Sequence, residues 1–293
     1  MSIFQGGGGK IKMLEAGVFK DHKIDISLIA HPGLEDTAYM ITSSNDRFDV
    51  EYIGETAHAA ASPWEGINAQ DAMVLAYDAV ALLRQQSKPT DLIHFMITEG
   101  GQAVNVIPGS ATAAFQVRAR DDLELKPWTE RVLKCFEAGA VGTGAELNLT
   151  KRPYGYSNMI SNEVLVGSFY DNFQEVIGND SALPDRKIDR LKMPSASTDQ
   201  GNIAWEFPSI QPGFAIYNEN GSLPSGGPHT APFEVAAGSE RSFLKALEVA
   251  KGLAGVAVDV LTTEGMADEA WEEIKALPPR NGTSNLRRRH HHH

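Results

Sequence analysis

From residue 48 onward, the pattern of hydrophobic and polar positions switches between the periodicity of a β-strand and that of an α-helix. Residues 48–52 alternate between apolar and polar side chains, as a half-buried strand does. Residues 66–86 instead place their apolar side chains at helical spacing. The series then continues as strand, strand, helix and strand over residues 94–98, 111–119, 125–139 and 145–151. This β-α-β-β-α-β order predicts a ferredoxin-like sandwich.

The segments on either side of this module have the pattern of an α/β domain. Residues 11–19 read as the end of a helix, and residues 24–30 form an apolar strand that ends at His31. Helical patterns and one strand follow the module, at residues 163–177, 209–216, 238–261 and 264–277. We therefore predict one sheet domain that the smaller module interrupts. The predicted domains in chain order are residues 1–45, 46–155 and 156–277, followed by a disordered tail at residues 278–293.

Charge and cysteine content narrow the classes of partner. The 293 residues include 38 acidic and 26 basic side chains, so the formal net charge is −12. Such a surface is a poor match for nucleic acid or for an anionic membrane. The single cysteine, Cys135, excludes an intrachain disulfide and indicates a reducing compartment. We expect a cytoplasmic protein with neither nucleic acid nor membrane as a partner.

Histidines supply the first candidates for chemistry. Outside the terminal tract they are His22, His31, His58, His94 and His229. Three of them, His31, His58 and His229, lie in loop-like segments rich in small residues or proline. A histidine in such a loop over a sheet edge can ligate a metal or bind an anion, although for each one taken alone a structural role is favoured. His31 is well placed for chemistry, because ligand sites in open α/β sheets gather at the carboxyl ends of strands.

The remaining motifs are less specific. Asp199 lies in a polar loop, where it either orients a ligand histidine or forms a local turn. Glycines 6–9 precede Lys10 as in a phosphate-binding loop, but Ile11 occupies the position that requires Ser or Thr, and no strand comes before. Histidines 290–293 are assigned to the tail rather than to a metal site.

Taken together, these segments resemble the zinc-dependent exopeptidases and amidohydrolases, a family that includes aminoacylase, the glutamate-releasing carboxypeptidases and the aminobenzoyl-glutamate hydrolases. The similarity is greatest to the dipeptidase branch, whose members cleave dipeptides that end in a basic residue. The residues that carry the resemblance are those at 6–10, 14–17, 30–33, 56–60, 63–69, 105–108, 117–119, 197–199 and 228–230.

The resemblance implies a fold and a set of site residues. The fold is a zinc-exopeptidase-like catalytic sheet domain with the ferredoxin-like module as its lid and dimerisation domain. His31 and His229 match metal ligands for zinc, or for manganese or cobalt in its place. His58 matches a lid histidine that stabilises the oxyanion in the partner subunit's site. Asn105 and Arg118 match lid residues that hold the substrate, Arg118 through a carboxylate.

The chain departs from the family pattern at its amino-terminal end. The family carries there a His and Asp separated by one residue, a metal-bridging Asp and an adjacent pair of glutamates, whereas residues 2–5 stand where the glutamates are expected. The resemblance implies a homodimeric, metal-dependent hydrolase of amide bonds in dipeptides or N-acyl amino acids. We expect this chain to lack the front part of the catalytic domain and to be weakly active or inactive. The alternative is a non-catalytic dimerisation or binding protein with the same fold.

Overall fold

The computed structural model describes residues 7–177, 183–194 and 196–278. Residues 2–5 and nearly all of the predicted tail lie outside the described residues. The helices are α1 Gly9–Glu15, α2 Val18–Asp21, α3 Ala69–Leu83, α4 Asp122–Thr143, α5 Glu163–Ile177, α6 Arg186–Asp189, α7 Gln200–Ala204, α8 Ala231–Ala237, α9 Glu240–Thr262 and α10 Met266–Ala276. The strands are β1 Ser27–Leu28, β2 His31–Gly33, β3 Ser44–Ile53, β4 Leu92–Glu99, β5 Ser110–Ala119, β6 Glu146–Lys151, β7 Ser209–Ile210 and β8 Gly213–Ala215.

Contacts divide the described chain into two compact units. The sandwich unit contains Ser43–Asn158, and the sheet unit contains Gly9–Thr42 with the residues from Met159 onward. The predicted module boundaries, 46 and 155, fall inside the sandwich unit. Its four strands form an antiparallel sheet in the order β4-β5-β3-β6, with α3 and α4 between the strands in sequence. The predicted β-α-β-β-α-β order is confirmed.

The sandwich forms because alternate strand residues point their apolar side chains at the helices. Phe48 on β3 and Phe115 on β5 stack at 4.9 Å between ring centroids, and Phe115 stacks in turn on Phe136 of α4 at 4.4 Å. The buried Tyr52 donates its hydroxyl hydrogen to Phe136 O at 2.6 Å. Burial raises the pKa of Tyr52 above its usual range. Strand alternation thus builds one continuous core under the helices.

Helix α4 begins earlier than the sequence pattern predicts. The Asp121 carboxylate accepts the Glu124 backbone N–H at 2.9 Å and caps the helix, which therefore starts at Asp122 instead of residue 125. Pro127 consequently lies inside the helix and not in its first turn. Its missing N–H removes the usual hydrogen bond to the Leu123 carbonyl four residues earlier, and Leu123 is exposed to solvent.

The sheet unit contains two parallel strand pairs under a helical layer. Strand β1 pairs with β7, and β2 pairs with β8. The predicted strand 209–216 is split into β7 and β8, because Pro212 between them has no N–H to donate to the ladder. Only β1 lies within the predicted strand 24–30, and His31 begins the separate strand β2 instead of ending the first one. Helices α5 and α9 pack closely, with the Phe169 and Phe173 rings beside Gly252. In the part of the chain that the structure describes, no helix has both the length and the apolar character needed to cross a membrane.

Two buried carboxylates hold the loop that follows β2. Asp189, which is fully buried, accepts the Thr37 hydroxyl at 2.6 Å and the backbone N–H groups of Ala38 and Tyr39 at 2.9 and 3.2 Å. Asp36 accepts the Ala215 N–H of β8 at 2.9 Å. These bonds hold residues 36–39, the loop that follows the strand which His31 begins.

Candidate active site

His31 opens β2, where its backbone pairs with Gly213 of β8. Its Nδ1 lies 2.8 Å from Pro32 O. A carbonyl oxygen can only accept, so Nδ1 carries the proton and the neutral ring keeps its lone pair on Nε2. That tautomer is the one in which a histidine ligates a metal through Nε2.

His229 lies in the loop before α8 and has a left-handed backbone with a φ of 72°. This conformation costs a residue other than glycine about 1–3 kcal/mol and recurs at ligand-binding sites. Its neighbour Thr230 holds the loop in place: the Thr230 hydroxyl donates to Gly227 O at 2.8 Å and accepts the Phe233 N–H at 3.4 Å. The strained His229 backbone is therefore supported by the cap of the following helix.

Asp199 is paired with a lysine from the other end of the sequence. Its Oδ1 lies 2.6 Å from Lys10 Nζ, and its Oδ2 accepts the Lys10 backbone N–H at 3.1 Å. The carboxylate does not cap α7, the helix that follows it. No described histidine is among its hydrogen-bond partners. Lys10, which the sequence suggested only as part of an incomplete phosphate loop, is thus the residue that fixes Asp199.

His58 and Asn105 are brought together by two loops of the sandwich unit. His58 forms an antiparallel bridge with Val106, and the Ala59 N–H donates to Asn105 O at 2.9 Å. His58 Nδ1 accepts the N–H groups of Ala60 and Ala61, both at 3.2 Å. The neutral ring therefore carries its proton on Nε2, which remains a hydrogen-bond donor.

Arg118 lies on β5, half-buried in the same unit. Its Nη1 donates to Ser43 Oγ at 3.4 Å, at the point where the chain enters the sandwich unit. Burial lowers the pKa of Arg118, and the neighbouring charge of Arg47 lowers it further. An anion beside Arg118 would favour its charged form and so oppose both effects.

The length of β5 separates Arg118 from the His58 loop. The strand runs unbroken from Ser110 to Ala119 and is paired with β3 and β4. Eight strand steps from Ser110 to Arg118 span about 26 Å. His58 and Asn105 lie beyond the Ser110 end, because Gly54 and Gly109 continue the pairing past it. An extended dipeptide is only about 7 Å long, so one chain cannot place His58 and Arg118 on the same dipeptide.

The described residues do not by themselves fit a catalytic metal. Residues 7–177, 183–194 and 196–278 contain no group of three or more His, Cys, Asp and Glu side chains arranged to hold an ion. A catalytic zinc takes three protein ligands, and His31 with His229 supplies only two. No catalytic step through a metal follows from these residues alone.

Comparison with known proteins places the chain in a family. The peptidase dimerisation domain matches residues 43–143. The Xaa-Arg dipeptidase of Mus musculus is 36% identical over 275 residues, which are 92% of this chain. The chain belongs to this family of peptidases and amidohydrolases. It spans 60% of the length of the mouse dipeptidase.

Two further similarities extend the family relationship. One of the p-aminobenzoyl-glutamate hydrolase subunits of Escherichia coli K12 is 32% identical over 144 residues, which are 47% of this chain and 29% of that protein. The crystal structure of an aminobenzoyl-glutamate utilization protein from Klebsiella pneumoniae superimposes with a TM-score of 0.59 at 19% identity, covering 84% of this chain and 57% of that one. This last similarity shows that the peptidase and amidohydrolase fold is shared.

Proposed function

We propose that this chain is part of a divalent-metal-dependent hydrolase that cleaves the amide bond of dipeptides or N-acyl amino acids. The 36% identity to the Xaa-Arg dipeptidase supports the reaction class. Zinc is the proposed metal, with manganese or cobalt as substitutes. Because the chain spans 60% of that dipeptidase, the activity of the whole protein is itself part of the proposal.

In this proposal the site residues divide between the two units. His31 and His229 of the sheet unit are metal ligands, and the Nδ1 contact of His31 with Pro32 O supports ligation through its Nε2. A metal held by a complete set of ligands would polarise the scissile carbonyl and activate water. Asp199 keeps its proposed supporting role for a ligand histidine, although its partner in the described chain is Lys10.

The sandwich unit contributes the groups that hold the substrate and its developing charge. Arg118 binds the substrate carboxylate, for which a guanidinium is the natural planar partner. His58 donates from Nε2 to the oxyanion, and Asn105 holds the substrate beside it. The two N–H groups that His58 Nδ1 accepts support this role, since they fix the ring as an Nε2 donor.

The observation that carries the proposed assembly is the separation of the two ends of β5. Since His58 and Arg118 of one chain lie too far apart to share a dipeptide, a complete site needs His58 from one subunit and Arg118 from the other. The active form is therefore a homodimer, in agreement with the dimerisation domain over residues 43–143. The single cysteine, Cys135, supports a cytoplasmic location as the remaining part of the proposal.

We further propose that this 293-residue chain is weakly active or inactive alone, because two ligands do not complete a catalytic zinc site. The test compares this chain with a chimera that adds the portion of the mouse dipeptidase that it does not span. Both are assayed on basic dipeptides and N-acyl amino acids with zinc, manganese or cobalt. We expect turnover in the chimera that chelation and His31→Ala abolish, and turnover at least about a hundredfold lower in the printed chain.

Each outcome of this assay decides one part of the proposal. Equal, chelator-sensitive turnover by the printed chain would show that it assembles a working site and that the inactivity proposal is wrong. A folded chimera that turns over none of the substrates would favour the alternative, a non-catalytic dimerisation or binding protein.

A further inference from the structure

The turn that follows β8 contains the dipeptide Asn220–Gly221. Two backbone hydrogen bonds of 2.8 Å close the turn: the Asn218 N–H donates to Ser222 O, and the Gly221 N–H donates to Asn218 O. Gly221 has a left-handed backbone with a φ of 84°, which glycine adopts without steric cost. The side chain of Asn220 is exposed to solvent at the tip of the turn. A closed turn thus presents an asparagine directly before a glycine.

Helix α9 holds this turn from below. The Glu219 carbonyl oxygen accepts a hydrogen bond from Arg241 Nε at 3.0 Å, and its Oε1 accepts the Glu240 N–H at 3.0 Å. The Arg241 guanidinium also lies against Gly221, since a methyl group on that glycine would be 3.6 Å from Arg241 Cζ. The conformation of the turn is therefore fixed by the first turn of a long helix.

Ser222 donates two hydrogen bonds to the side-chain oxygen of Asn220. The Ser222 N–H is 3.0 Å and the Ser222 Oγ is 2.7 Å from Asn220 Oδ1. A backbone N–H can only donate, so the atom that faces Ser222 is the oxygen, and Asn220 Nδ2 is turned away from it. Ser222 Oγ in turn accepts a hydrogen bond from Asn218 Nδ2 at 2.9 Å, which leaves its own hydrogen for Asn220. Both donors polarise the same amide carbonyl.

This arrangement favours attack on the Asn220 side chain by the next backbone nitrogen. Donors aimed at an amide oxygen stabilise the negative charge that develops there when a nucleophile adds to its carbon. Gly221 has no side chain to shield its nitrogen from Asn220 Cγ. The Gly221 N–H must leave the Asn218 carbonyl before the attack, and water at this exposed turn can replace that one bond.

We propose that Asn220 is a site of self-catalysed deamidation, with Ser222 as the group that promotes it. The Gly221 nitrogen loses its proton to water and forms a bond to Asn220 Cγ, and the bond from Cγ to Nδ2 then breaks and releases ammonia. Water opens the resulting five-membered imide at either carbonyl, which gives aspartate or isoaspartate at position 220. Neither step is a redox reaction, and water is the only co-reactant. The modification adds a negative charge to the segment that joins β8 to His229.

The test follows residue 220 by peptide mapping and mass spectrometry while the full chain is kept folded at mildly alkaline pH. We expect aspartate and isoaspartate to accumulate in the wild-type protein. Ser222→Ala, which removes one of the two donors, should slow their formation about fivefold. Ser225→Ala makes the same substitution in the same loop and should leave the rate unchanged. Asn281, which also precedes a glycine, supplies an internal reference rate that neither substitution should alter.

Unfolding separates the effect of the turn from that of the local sequence. In urea the two serine variants should deamidate at the wild-type rate, because the hydrogen bonds of Ser222 exist only in the folded turn. Ser222→Thr keeps the hydroxyl and should restore most of the rate lost in Ser222→Ala. The proposal is wrong if folded protein keeps the Asn220 amide over the period in which urea-unfolded protein loses it. Equal rates of Ser222→Ala and Ser225→Ala in the folded state would also overturn it. None of these measurements depends on hydrolysis of a substrate.

Discussion

Single buried residues hold the loop that follows the short strand β2. Asp189 alone accepts three hydrogen bonds from the loop after β2 and pairs with Lys192 at 2.9 Å. A buried carboxylate with this many partners stabilises one loop conformation, because every partner would lose its acceptor if the loop moved.

Replacing Asp189 by Asn should therefore lower the free energy of unfolding by about 2–4 kcal/mol. The amide cannot accept all of these bonds, and it leaves the Lys192 charge less compensated. Urea unfolding followed by circular dichroism measures the change. The matched substitution Asp78→Asn, at an exposed position of α3, should shift stability by less than about 0.5 kcal/mol. Equal effects of the two variants would show that Asp189 does not hold the loop.

Residue context predicted some site candidates and missed others for a clear reason. His31, His58 and His229 stand out in sequence because small residues and prolines surround them. The pairing of Lys10 with Asp199 joins positions 189 residues apart, and no local pattern connects them.

At the scale of elements, periodicity located the strands and helices, and local chemistry set their ends. Helix α5 spans residues 163–177 as predicted, because its apolar spacing has no competing signal. Helix α4 starts earlier because Asp121 caps it, and the strand near residue 212 is broken because proline cannot join the ladder. Capping bonds and ladder gaps depend on partners that a periodic pattern does not identify.

The packing of α4 on the sandwich depends on one glycine. A methyl group at Gly139 would lie 2.4 Å from Ala72 O and 2.7 Å from the Tyr52 hydroxyl. Gly139→Ala should destabilise the protein by about 1–3 kcal/mol, although alanine favours a helix. In the same helix, Gly142→Ala would meet only the Leu75 side chain, which can move, and should leave the melting temperature unchanged or slightly raised. A more stable Gly139→Ala variant would contradict this packing.

At the scale of the whole molecule, the proposed function requires two copies of the chain. Strands β4 and β6 are the edges of the sandwich sheet, and the dimerisation domain over residues 43–143 includes β4. An open strand edge can pair with a second copy across a two-fold axis. Light scattering of well-folded protein at tens of micromolar should give twice the mass of the 31.8 kDa chain. A strict monomer would contradict the proposed dimer.

The most direct test of the proposed assembly mixes two inactive variants of the active chimera, His58→Ala and Arg118→Ala. If each site takes Arg118 from one chain and His58 from the other, a mixed dimer contains one site with both residues intact. Random exchange should then restore about a quarter of wild-type activity, since half of the dimers are mixed and each has one working site. If both residues of one chain act on the same substrate, every site lacks one of them. No recovery after subunit exchange has been verified would contradict the account.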